Sequence, residues 1–235
     1  MNHSYPSLKD FAAHLALDLN AIEIVKQPLY DYNVYPTAGL ALMSFFAFAQ
    51  GAGLSASPGN VGAVKQLSDT NLILASQLPM PQAFWCDGIE VVIDPGSSAA
   101  ANNFSLLSPS THVAAAAATV QSGENDVSNL YSSGALTFTV SLKPYYQEGP
   151  LYRFPTRHAL RLDTAIDSNS ATAAEDLKAK INLDGELMRL HPGIGIESSQ
   201  NFGVNLTWPV VVTTPSGFNA RVGIILNGWL FRGVQ

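Results

Sequence analysis

Charge is what this sequence lacks most. Charged side chains make up 13% of the 235 residues, about half the ~25% usual in soluble domains. A solitary soluble protein covers its surface with Lys, Arg, Asp and Glu. Here Ser, Thr, Asn, Gln, Ala and Gly must do that work. Such a surface suits a chain packed against copies of itself or other partners, because interface cores are depleted of charge in the same way. Basic clusters are missing as well. The 12 Lys and Arg stand against 18 Asp and Glu, the formal net charge is −6, and no two basic residues are adjacent. Neutralising phosphates takes grouped basic side chains, so direct sequence-specific nucleic-acid binding is not expected.

Cysteine is nearly absent. Cys86 is the only one, which rules out an intrachain disulfide and reads as a small buried apolar residue. The longest apolar run, "LALMSFFAFA" at 40–49, is too short to cross a bilayer as a helix. Lys9, Asp10 and Asp18 interrupt any apolar core of a secretory signal, so synthesis and folding in a cytoplasm are expected. Catalytic patterns are missing too. His3, His14, His112, His158 and His191 have no partner at metal-ligand spacing, and no nucleophile elbow or phosphate-cradling glycine loop occurs. No catalytic, cofactor-binding or metal residue is assigned, and an enzyme is not the expectation. The Asn-x-Ser/Thr triplets at Asn103 and Asn205 read as chance. In "WPVVV" and "LYRFP", core packing at strand ends outweighs carbohydrate stacking.

What the sequence does have is β grammar. One helix precedes it: residues 7–19 place Leu8, Phe11, Leu15 and Leu19 at helical spacing, and Ser7 with Asp10 resembles a capping pair. That helix either docks on its own domain or reaches a neighbour or a membrane surface. Strands are expected at 29–36, at 40–51 as one run buried on both faces, and at 84–96 with a bulge at Gly88. Others are expected at 135–146 as the cleanest half-buried strand, at 193–198 and at 201–213. Residues 52–68 read as a loop, 97–134 as a long excursion with five alanines at 114–118, and 214–217 as a turn. Thr172 and Glu175 form a capping box that predicts a second helix. Eight to ten strands with few helices indicate an all-β sandwich of two antiparallel sheets. The preferred architecture is a single jelly roll over 22–235, preceded by an N-terminal arm at 1–21. The loops at 52–68, 97–134 and 164–192 are the candidate contacts between copies.

The apolar ending, "FNARVGIILNGWLFRGVQ", poses a choice. Asn227-Gly228 is a strong hairpin signal. However, both alternating faces of the segment are apolar, which favours one long strand with a bulge or bend at that pair.

Three stretches carry a family resemblance. "TNLILASQLPMPQAFWCDGIEVVIDPG" at 70–96, "GIGIESSQNFGVNLTWP" at 193–209 and "VGIILNGWLFRGVQ" at 222–235 resemble segments of virion proteins from small tailless bacteriophages. These stretches cover about a quarter of the chain. It implies a jelly-roll major capsid protein that self-assembles into an icosahedral shell around the phage genome, located in the virion among other virion proteins. With no basic arm, screening of the genome would fall to an internal lipid membrane or a separate basic protein. The alternative is a receptor- or carbohydrate-binding β-sandwich of the spike or lectin sort.

Overall fold

The computed structural model describes residues 7–15, 22–57, 60–98, 125–154 and 187–233, with five short backbone stretches between 103 and 182. Nine strands build two antiparallel sheets. They are β1 (Ile22–Lys26), β2 (Leu29–Tyr35), β3 (Leu42–Phe45), β4 (Ala83–Asp94), β5 (Ala135–Val140), β6 (Lys143–Glu148), β7 (Met188–Ile196), β8 (Phe202–Thr207) and β9 (Ala220–Gly233). One sheet runs β1–β9–β4–β7, with β2 also on β9, and the other runs β3–β8–β5–β6. β1 and β2 lie along the same edge of β9 in one register: Leu29 faces Leu226 and Lys26 faces Trp229. They form one edge strand broken at Gln27 and Pro28, where proline has no N–H to give a ladder.

The core lies between the sheets and follows the period-2 alternation of their strands. Leu136, Phe138 and Val140 of β5 and Phe202, Val204 and Leu206 of β8 are buried against Ile89, Val91, Ile93, Val222, Ile224 and Leu226. Each such side chain contributes roughly 1.5–3 kcal/mol by leaving water. Among the described residues this is an all-β protein with two packed sheets.

The terminal segment is one strand. Asn227 faces Gly88 and Gly228 faces Cys86 on β4, so Asp87 is left over as the bulged residue. The irregularity therefore sits on β4, beside the expected Gly88. Gly228 serves close approach rather than a turn, because a Cβ there would lie 2.0 Å from the Trp85 carbonyl oxygen. The helix α1 (Leu8–His14) forms where expected, and the Ser7 side chain accepts the Asp10 amide as its N-cap. It docks on its own sheet. Phe11 is fully buried against Trp85 and Phe231, at centroid distances of 5.4 and 5.5 Å. Gly195 makes room, since a Cβ there would reach 2.4 Å from the Phe11 ring. Leu19 lies outside the described residues.

Five expectations need correction. The run at 201–213 is a strand only from Phe202 to Thr207, and beyond it Val210 and Val211 are exposed. The run at 40–51 is a strand only from Leu42 to Phe45, with Met43 and Phe45 buried and Leu42 and Ser44 exposed. Phe46 takes φ 67° and turns the chain out of the sheet. The segment at 135–146 is a hairpin and not one strand. Ser141 and Leu142 both adopt positive φ, 49° and 67°, which closes a two-residue turn without the Asn-Gly signature that announces one. The excursion at 97–134 ends in a helix over 125–133. Its Gly, Ser and Asn content hid that helix, which is held by buried Leu130 and by Trp208 Nε1 donating to the Leu130 carbonyl at 3.1 Å. The alanine-rich part lies outside the described residues. Finally, the expected helix after Thr172 is replaced, at its described residues, by strand pairs. Ala174–Glu175 joins Ser168–Asn169, and Lys180–Asn182 joins Ala159–Arg161. A helix this short is marginal without a broad apolar face to bury, and that segment offers only Leu177 and Ile181.

Candidate assembly surface

Chemistry is easily located and sparse. Cys86 is wholly buried, its thiol is pushed well up by burial, and it donates to the Gly88 carbonyl. Burial and a raised thiol are the surroundings of a packing residue. His14 meets Glu197 at the surface at 3.2 Å, and His191 lies on β7. His3, His112 and His158 lie outside the described residues. Among the described residues no group of three or more His, Cys, Asp or Glu is placed to hold a metal ion. The aromatics beside prolines are core residues. Trp208 packs edge-on against Tyr35 at 5.0 Å, and Phe154 is fully buried against Tyr146 at 5.9 Å.

The elaborate polar structure is buried, in the crossover from β3 to β4. Residues 66–70 run along the free edge of β2: Asp31 bridges Thr70, and the Tyr32 amide donates to the Asp69 carbonyl at 2.8 Å. An edge strand left bare invites pairing with other chains, and this segment covers it. Asp31 points inward from the same face as Leu29 and Tyr35. There it accepts Lys65 Nζ at 2.5 Å and the Phe46 amide at 2.7 Å, while Lys65 also donates to the Tyr32 carbonyl at 2.9 Å. Both side chains of the pair are 1% exposed. Burial pushes the Asp31 carboxyl above its ordinary range, against the opposing pull of the Lys65 ammonium and the Phe46 amide. A few residues on, Asp69 accepts from the Ser55 and Ser57 hydroxyls and from the Ala56 and Gln66 amides, all at 2.8–2.9 Å. Burial would raise that carboxyl too, but the four donors outweigh it and hold it below the usual range. Arg221 of β9 adds a clamp from the sheet's other face. It lies 3.9 Å over the Tyr32 ring and donates to the Ser68 carbonyl at 2.9 Å.

Outside, the same region is bare of charge. From residue 32 to residue 86 the only charged side chains are Lys65 and Asp69, and both are buried. Among the described residues, eight of the thirteen exposed large apolar side chains lie between Leu42 and Met80. Ile73, Pro79, Met80 and Pro81 line one wall of an open groove of about 700 Å³, bounded by the Glu23–Arg232 ion pair. Of the three loops expected to make contacts, 52–68 belongs to this region. Most of the other two, 97–134 and 164–192, lies outside the described residues. The stretch from 69 to 82 was missed. Its signal was in plain view: the 55 residues from 32 to 86 hold only two charged side chains, Lys65 and Asp69.

No helix among the described residues is long and apolar enough to cross a membrane. No family model matches the chain, no curated protein matches it, and no solved structure matches it.

Proposed function

We propose that this chain is a single jelly roll serving as the major capsid protein of a small tailless icosahedral bacteriophage. In this reading many copies close into a shell around the genome, alongside other virion proteins and over an internal lipid membrane or a separate basic protein. The carrying observation is the strand order. Counted with β1 and β2 as one broken strand, eight strands pair in nested fashion: the first with the last, β3 with β8, β4 with β7, and β5 with β6. Nested pairing is what results when one long antiparallel ribbon is wound into two sheets, and a jelly roll is such a ribbon. The three stretches that resemble phage virion proteins fall on β4, on β7 with β8, and on β9, so they include both central strands of one sheet and one of the two in the other. The uncharged crossover supports assembly over solitary life. Closed symmetry then multiplies modest contacts into a stable shell.

Purified protein examined by electron microscopy and light scattering is expected to form closed particles tens of nanometres across. A persistent monomer would overturn the proposal. Small oligomers that bind glycans on an array would favour a receptor-binding sandwich instead. Lipid extraction from purified particles tests the membrane: particles without lipid leave the basic protein as the screen.

A further inference from the structure

We propose that the patch formed by Phe48, Leu54 and Val64 is where one copy of this chain packs against a second copy. The three side chains are neighbours. Leu54 and Val64 face each other across an antiparallel bridge, which puts their side chains on the same side. The Phe48 ring lies against Gly53, where a Cβ would come within 2.7 Å of it. All three are exposed, Leu54 the most at 69%. Each bridge residue is followed in sequence by an inward anchor: Ser55 after Leu54 and Lys65 after Val64, both bound into the buried Asp31 and Asp69 network. The patch is thus an inverted strand pair, with polar side chains inside and apolar ones out. Because its backbone is held from beneath, docking orders little that is not already ordered, and ordering is a main cost of association.

The occupant follows from charge. A cationic partner would need acids here and a nucleic acid would need bases, and from residue 32 to residue 86 none of either is exposed. Two copies each carrying a net charge of −6 repel through their charged surfaces and approach most easily where charge is absent. An uncharged apolar patch is matched by an uncharged apolar surface, and the same chain supplies one. This inference rests on the reading that copies associate, and it names the surface they use.

The test compares wild-type protein, Leu54→Asp, Val64→Asp, the milder Leu54→Ser, and Leu142→Asp on the exposed β5–β6 turn. Folding is followed by circular dichroism, association by sedimentation velocity and electron microscopy. The two Asp patch variants are expected to fold with an unchanged melting temperature and to lose association by more than about tenfold, one charge buried at an apolar contact being worth at least ~1.4 kcal/mol. Leu54→Ser should lose part, and Leu142→Asp should behave as wild type. If either Asp variant fails to fold, Leu54→Ser carries the test. Wild-type shells with equally good shells from the patch variants would overturn the patch and leave the shell reading standing. Wild-type small oligomers that become monomers in the patch variants would overturn the shell and leave the patch. A Leu142→Asp defect as large as that of the patch variants would overturn the assignment to this site. So would unchanged assembly with patch-dependent flotation on phosphatidylcholine vesicles, which would make the patch a lipid contact. A wild-type monomer at every concentration removes both readings.

Discussion

The β3–β4 crossover and the β5–β6 hairpin treat charge in opposite ways. The hairpin, with the turn after it, keeps Leu136, Phe138, Val140 and Phe154 inside and places Lys143, Glu148 and Arg153 toward water. Arg153 Nε donates to Glu148 at 2.8 Å, and the Tyr146 hydroxyl donates to the same carboxylate. The crossover buries Lys65, Asp31 and Asp69 and turns Phe48, Leu54, Val64 and Leu67 outward. One is finished for solvent. The other is anchored by its charges and has an outer surface suited to another protein. Fold alone does not demand that inversion, since the same residues folded the ordinary way round would make an ordinary loop. The difference teaches that the buried ions here hold the backbone beneath an exposed apolar surface.

The sharpest way to break the comparison is at Lys65. Lys65→Met leaves the Asp31 carboxylate buried without its cation and is expected to cost about 3–5 kcal/mol in urea unfolding. The double variant Asp31→Leu with Lys65→Met should recover most of that, because a buried pair replaced by apolar groups is often near neutral. A double variant as unstable as the single one would show that the ions are not acting as a pair.

Next comes Asp69→Asn, expected to cost about 2 kcal/mol through weakened charge-assisted hydrogen bonds. Its pH dependence sharpens the point. The folded state holds the Asp69 carboxyl below its unfolded value. Its contribution is therefore full above the ordinary carboxylate range and disappears as pH falls through the folded value. The gap between wild type and Asp69→Asn should close in acid, and a gap constant with pH would refute the anchor. Asp31 runs the other way. Its carboxyl is held above its unfolded value, so its contribution is full below that value and is lost as pH rises through the folded one.

The smallest effect belongs to the hairpin. Arg153→Ala breaks an exposed pair and should cost less than ~1 kcal/mol, vanishing in high salt. The Lys65→Met penalty should persist there. Equal salt sensitivity in the two variants would erase the distinction between the regions.

Much of the fold was legible from periodicity. Alternation gave β5 and β8, a capping pair gave α1, and two apolar faces gave the unbroken β9 against the local lure of Asn-Gly. The failures share a cause. Ser141-Leu142 turns without a turn residue, and Phe46 leaves the sheet because Asp31, fifteen residues earlier, accepts its amide. Neither determinant lies within the local window that a sequence pattern covers. The candidate surface was half legible. A low overall charge pointed to contact, but burial of the two charges that interrupt the neutral segment depends on Asp31, Ser55 and Ser57 meeting in space.

The place of β9 sets a clock. It lies between the broken edge strand β1–β2 and β4, so the strands made first and the strand made last must meet before that sheet exists. At ~5–20 residues per second, the ribosome needs on the order of ten seconds to travel from Asp94 to Gly233. During that interval β1, β2 and β4 have no β9 between them. Pairings this distant in sequence also form slowly. The Asp31 anchor sits on β2, whose ladder partner is β9, so the crossover rests on its finished foundation only after that strand has arrived. In the proposed assembly, a chain still being synthesised would lack a completed contact surface, and association would wait until each copy had closed its own sheet.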